Sequence, residues 1–229
     1  MTGIIAHRGF NGLYPENTHR SFEEALKLDI AGIECDVNLT ADRQVVVIHD
    51  LTVDRTSDGS GEVAQMPLDE LRQLNIGTEE DPQQIMLLDE LLTLLDQYPG
   101  KHILIETKHP SPFGGALEEA VADVLRSRGM ERDPRVHLIS FNPEAVERFQ
   151  RLLRELETFL LVEEAFEPVG ACGAGPSVHM AKAHPELLDG RFRTYVWTVN
   201  LPKDMLWLQK HGASLIGTDL PHIALETLA

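Results

Sequence analysis

The sequence predicts an α/β protein, a (β/α)8 TIM barrel, folded as one domain over residues 1–229. Three observations predict it. Eight short β-rich runs alternate with amphipathic stretches, the pattern of a parallel sheet with crossover helices. The length of 229 residues suits a barrel with short loops, since barrels usually take about 250 residues and rarely fewer than about 200. Residues able to do chemistry fall at the ends of the strand-like runs, where a barrel carries its active site.

Taken in order, residues 3–6 read as the first strand and residues 18–29 as a helix with Phe22, Ala25, Leu26 and Leu28 on one stripe. Residues 31–37 form the second strand, and the apolar run 45–48 extends or pairs with it. Residues 50–61, rich in Thr, Ser, Asp and Gly, read as a loop. A helix starts at 67–74 behind a proline. A stronger one covers 87–98 and stops at Pro99-Gly100. The third strand is 101–106, followed by a helix at 116–128 that ends at Gly129. The fourth strand is 136–140, with a helix at 143–156, and the fifth is 159–162. The sixth unit is the least legible, and a short strand is placed within the glycine-rich 170–176. Strands seven and eight are 194–198 and 214–217, with helices at 205–211 and 222–228. There is no internal repeat, low-complexity tract or linker.

The formal net charge of −17 argues against a duplex-binding nuclease, which needs a basic face to replace counterions. It argues equally against docking on an anionic membrane. A small anionic substrate is compatible if the site supplies local cations. The two cysteines, Cys35 and Cys172, read as reduced and buried, so the expected location is cytoplasmic. The apolar N-terminal run is too short for a signal peptide, and no stretch approaches the roughly 20 residues of a membrane span.

The strand ends carry His7-Arg8-Gly9, Glu34 with Asp36, His49-Asp50, Glu106 with Lys108, Trp197 through Asn200, and Gly217-Thr218-Asp219. Residues two apart on a strand share a face. Glu34 and Asp36 therefore point one way and Cys35 the other, toward the helices, while Glu106 and Lys108 share a face opposite Thr107. Buried carboxylates at the end of an apolar strand are costly unless a cation joins them. Oxygen ligands favour Mg2+ or Ca2+ over zinc, and no His-Glu-x-x-His pair is present. Asp219, before Leu220-Pro221, reads as a helix N-cap. The histidines at 19, 102, 109, 137, 179, 184, 211 and 222 show no pattern and read as surface or structural.

These residues, with Pro15-Glu16-Asn17-Thr18, Asp54-Arg55-Thr56 and Ser140-Phe141-Asn142, give a sequence that resembles the glycerophosphodiester phosphodiesterase family nearly end to end. The resemblance implies a TIM barrel, a divalent cation, and hydrolysis of a glycerophosphodiester to sn-glycerol 3-phosphate and an alcohol. It implies Glu34, Asp36 and Glu106 as metal ligands and His7 and His49 as the acid–base pair. It implies Arg8 and Lys108 as phosphate contacts and Trp197 as the aromatic beside the glycerol. The sequence departs from the family pattern in the short, acidic segment 75–86 and around residues 170–177.

Two histidines with ordinary pKa near 6.5 suit proton transfer at neutral pH. Which is the acid stays open, as does the nucleophile: water, or the substrate's own 2-hydroxyl. The oligomeric state and the preferred alcohol stay open too. The alternative enzyme is a lysophospholipase D, which needs an apolar channel for an acyl chain. The alternative outside catalysis is a barrel that only binds a phosphate ligand, which has no use for both His7 and His49.

Overall fold

The structure, a computed structural model, describes residues 2–229. Eight parallel strands form the ring: β1 (Gly3–Ala6), β2 (Gly32–Leu39), β4 (His102–Thr107), β5 (Val136–Ser140), β6 (Glu157–Val162), β7 (Gly173–Pro176), β8 (Tyr195–Val196) and β9 (Leu215–Thr218), with β9 back beside β1. The seam between β7 and β8 is held by single bridges, Ala174 to Thr194 and Ser177 to Trp197, where the other pairs form ladders. The barrel is nearly closed. β3 (Val45–Val47) lies outside the ring, antiparallel to β2 with Val37 opposite Val47. That pairing returns the chain to the C-terminal end of β2 and delivers His49 there.

Helices α1 (His19–Leu26), α2 (Leu68–Leu71), α3 (Leu88–Leu95), α4 (Ala116–Ser127), α5 (Pro143–Leu152), α6 (Val178–Ala183), α7 (Pro202–Lys210) and α8 (Pro221–Leu228) cover the outside. Strand alternation sorts the core into two layers. Ile33, Cys35, Val37, Ile103, Ile105 and Leu138 face outward into the helix layer. Ile5, Leu104, Ile139, Phe159, Tyr195 and Leu215 fill the interior. Both cysteines are free and buried.

Local chemistry explains several starts. Thr18 Oγ1 accepts the Ser21 N–H at 3.1 Å and Ser21 Oγ accepts the Thr18 N–H at 3.2 Å, a reciprocal cap on α1. Asn142 Oδ1 accepts the Glu144 N–H, with Pro143 in the first turn of α5.

The structure corrects four details of the sequence reading. The helix expected at 67–74 is one turn, Leu68–Leu71, and the chain beyond it folds over a small separate cluster containing Leu71, Ile76 and Ile85. The helix at 143–156 stops at Leu152. Helix α6 was not anticipated; Ser177 caps it by accepting the Met180 N–H, but its six residues are too few to show a period. Finally, Asp219 does not cap α8, whose N-cap is Leu220. Its carboxylate turns into the barrel mouth instead. Among the described residues no helix is long and apolar enough to cross a membrane.

Candidate active site

The β2–β4 register places Asp36 opposite Glu106, and inward alternation brings Glu34 onto the same face. One oxygen from each of Glu34, Asp36 and Glu106 lies within 4.8 Å of the others. All three side chains are buried. Glu34 Oε1 and Asp36 Oδ1 have no hydrogen-bond partner, although buried polar oxygens are normally satisfied. These unpartnered, convergent, all-oxygen donors fit a hard divalent cation.

The charge balance points the same way. Arg8 Nε lies 3.3 Å from Asp36 Oδ2, and Lys108 Nζ lies 2.5 Å from Glu106 Oε1 and 3.4 Å from Asp36 Oδ1. Three carboxylates against two cations leave the cluster with one negative charge. Burial raises Glu34 well above the usual carboxyl range, and Asp36 and Glu106 push it further. Burial likewise lifts Glu106, to about 7, again helped by Asp36. Burial would raise Asp36 too, but Lys108 and then Arg8 outweigh it and hold that carboxyl below its ordinary value. A divalent cation would remove the repulsion, and a phosphodiester monoanion would then bring the whole set to neutrality.

Arg8 sits in a turn with φ of 55°, followed by Gly9 at φ 79°. A non-glycine residue in this left-handed region is uncommon and clusters at functional sites. Here it aims the Arg8 N–H at Glu34 Oε2, 2.9 Å away. Gly9 is required twice over, because a Cβ there would lie 2.4 Å from Ser21 Oγ and 2.9 Å from the Phe22 nitrogen. Asn17 Nδ2 donates to Asp36 Oδ2 at 2.9 Å, which accounts for the asparagine before the Thr18 cap.

His7 and His49 are held alike. His7 Nδ1 is 2.8 Å from Asp219 Oδ1, and Asp219 also accepts from Asn11 Nδ2 and Asn200 Nδ2. His49 Nδ1 is 2.6 Å from Asp50 Oδ1. An ionised carboxylate accepts only, so each Nδ1 carries the proton and each neutral ring keeps its lone pair on Nε2. Both carboxyls are shifted down: Asp219 by the His7 hydrogen bond against an opposing burial effect, Asp50 chiefly by Arg55. Burial lowers His49 below its ordinary value, only partly offset by Asp36.

These groups surround a cavity of about 220 Å3 lined by His7, Arg8, Glu34, His49, Glu106, Lys108, Phe141, Tyr195 and Trp197, among others. The Trp197 Nε1–H donates to the Gly175 carbonyl at 2.7 Å, and its ring meets Phe141 edge to face at 5.1 Å. No residue of segment 75–86 lines this cavity. The sequence of residues 7–223 matches the glycerophosphoryl diester phosphodiesterase family. The chain belongs to this family of phosphodiester hydrolases. The "Probable glycerophosphodiester phosphodiesterase 1" of Mycobacterium tuberculosis is 34% identical, over 95% of this chain and 89% of its own length. The glycerophosphodiester phosphodiesterase of Caldanaerobacter subterraneus is 32% identical over 96% and 95%. Among solved structures, an Oleispira antarctica phosphodiesterase in complex with the product sn-glycerol-3-phosphate superposes with a TM-score of 0.90 at 26% identity, over 100% of this chain and 97% of that one.

All eight site residues singled out in the sequence of this family member, His7, Arg8, Glu34, Asp36, His49, Glu106, Lys108 and Trp197, meet at the barrel mouth. The sequence reading named Asp219 and Asn200, which stand behind His7, and Asp50, Arg55 and Glu16, which stand behind His49 and Arg8, without assigning them these supporting roles, and it passed over Asn11. Two of the other histidines form a separate pair at the opposite rim, with His102 Nδ1 2.9 Å from His137 Nε2. A third, His109, pairs with the fully buried Glu118 at 2.8 Å.

Proposed function

We propose that the chain, acting as one barrel domain, hydrolyses glycerophosphodiesters to sn-glycerol 3-phosphate and an alcohol. The observation that carries this reading is the buried three-carboxylate cluster, flanked by two cations and two carboxylate-anchored histidines in one small cavity. Glu34, Asp36 and Glu106 would hold the divalent cation, Mg2+ or Ca2+. When bound, the cation supplies positive charge against the phosphoryl oxygens. Arg8 and Lys108 add fixed positive charge on the same anion, where it develops in the transition state. One histidine takes the nucleophile's proton on its Nε2, and the other, protonated, gives a proton to the departing alkoxide. Trp197 and Phe141 form an apolar corner for the glycerol carbons. The cavity has the dimensions of a small polyol phosphate. At about 220 Å3 the cavity suits such a ligand better than a long acyl chain, which favours a glycerophosphodiester over a lysophospholipid as substrate.

Release of glycerol 3-phosphate from glycerophosphocholine, measured with Mg2+, with Ca2+ and with EDTA, tests this reading. Activity is expected with a divalent cation and not with the chelator. Turnover that is indifferent to EDTA, or no product under any condition, would reject it.

The two halves of the site predict different kinetic defects. Arg8→Ala or Lys108→Ala should lower kcat by roughly 10²–10³-fold, about 2.7–4 kcal/mol, if each acts like a lost oxyanion donor. Trp197→Ala should act mainly on KM, because the ring meets glycerol equally in ground and transition states. The reverse pattern in steady-state kinetics would exchange the phosphate and glycerol sides.

A further inference from the structure

We infer that Arg55 is a positioning residue for the reaction, a clamp that fixes the His49–Asp50 pair by anchoring it to Glu16. The inference rests on the functional reading above, but Arg55 itself does not line the catalytic cavity. Its guanidinium makes four hydrogen bonds to two carboxylates. Nε and Nη2 donate to Asp50 Oδ2 and Oδ1 at 2.7 and 3.0 Å, while Nη1 and Nη2 donate to Glu16 Oε2 and Oε1, both at 2.8 Å. Glu16 is tied in turn to the barrel mouth by Arg8 Nη1 at 3.0 Å. A continuous chain thus runs from Arg8 through Glu16, Arg55 and Asp50 to His49.

The geometry says why this position needs a planar fork. Asp50 Oδ1 must accept the His49 Nδ1–H, and its other oxygen has only Arg55 as a donor. Held at both oxygens, Asp50 cannot rotate, so the His49 ring keeps one orientation and one tautomer. Without Arg55, Asp50 keeps a single anchor and faces Glu16, a like charge with no cation between them. The backbone beneath Arg55 is itself fixed: the Val53 N–H donates to the Gly61 carbonyl, the Ser57 N–H to the Val53 carbonyl, and the Gly61 N–H to Asp54 Oδ2. The Arg55 side chain is 48% exposed, so its ion pairs matter little to global stability. What they hold in place is a side chain facing the reaction. A lysine carries the charge but not the fork, and cannot satisfy two carboxylates side by side.

The test is steady-state kinetics on glycerophosphocholine with the intact protein. Arg55→Ala should lower kcat by roughly 10–100-fold, the usual cost of removing a group that orients a site ligand. KM and melting temperature should change little. Arg55→Lys should not recover the loss. In a His49→Ala background, adding Arg55→Ala should change kcat by less than about threefold, because the residue acts through the histidine already removed. An Arg55→Ala protein with wild-type kcat would overturn the inference while leaving the functional reading intact. So would recovery by Arg55→Lys, which would mean charge alone suffices, or full additivity with His49→Ala. An inactive wild-type protein would overturn the functional reading itself, and the clamp with it.

Discussion

Alanine at His7 or at His49 is expected to lower kcat by roughly 10²–10⁴-fold, the range for loss of a positioned proton-transfer group. Substrate binding should survive, because Arg8, Lys108 and the carboxylate cluster do not depend on either ring. The two histidines are built alike, each with Nδ1 against an aspartate, so geometry alone assigns neither as the acid. Leaving-group chemistry does. A nitrophenyl phosphodiester departs as a weakly basic phenolate and needs little protonation. The variant lacking the acid should recover much of its rate on that substrate, and the variant lacking the base should not. Burial lowers the pKa of His49, so its ring stays unprotonated, as a general base must be, down to a lower pH than a free imidazole, which favours His49 for the base role. Recovery is therefore expected in the His7 variant. Equal deficits on both substrates would remove the division into acid and base. Near-normal activity of either variant on glycerophosphocholine would remove that histidine from the mechanism.

Most of the site was legible because barrels separate stability from chemistry along each strand. Period-two alternation was enough to put Glu34, Asp36, Glu106 and Lys108 on one face, and strand order then made them neighbours. Asp219 was misread because its local signal is real: an aspartate two residues before the first proline of a helix is a common cap. The overriding signal was topological. In a closed barrel the last strand lies beside the first, and Ala6 pairs with Thr218, so the residue after each strand, His7 and Asp219, must meet. The roles of Asp50 and Arg55 were hidden for a different reason. They lie in a loop without a period, and only the antiparallel return of β3 brings that loop to the mouth. Helix α6 and the seam strands were hard to read because β7, Gly173–Pro176, is built from glycine, alanine and proline, which carry almost no hydrophobic pattern.

The cation's contribution to stability is expected to rise steeply with pH, and this tests the carboxylate cluster without any assay of turnover. Glu106 titrates near 7 when folded, against 4.5 ordinarily, and Glu34 is raised too. The sign follows from proton counts. Between about pH 4.5 and 7 the folded, metal-free protein holds protons that the unfolded chain has released, so its stability falls as pH rises through that window. For Glu106 alone the loss is on the order of 3 kcal/mol by pH 8, at 1.36 kcal/mol per pKa unit. Asp36, with its lowered pKa, acts only below about pH 4 and stays outside the window. His49 and His102, both lowered by burial, work in the opposite direction, adding stability as pH rises toward 6.5. Comparing the protein with and without the cation largely cancels these histidine contributions. A divalent cation needs the ionised carboxylates and displaces their protons, so its binding tightens about tenfold per pH unit for each proton released. At one fixed Mg2+ or Ca2+ concentration, high enough to saturate the site at pH 8, the cation-induced gain in unfolding free energy should be smaller at pH 5 than at pH 8 by about 3 kcal/mol from Glu106 alone. Glu106→Gln should abolish most of that increase and, by removing a ligand, nearly all turnover. A gain that stays flat from pH 5 to 8, in chemical denaturation followed at several pH values, would mean that the three buried carboxylates do not hold the cation together.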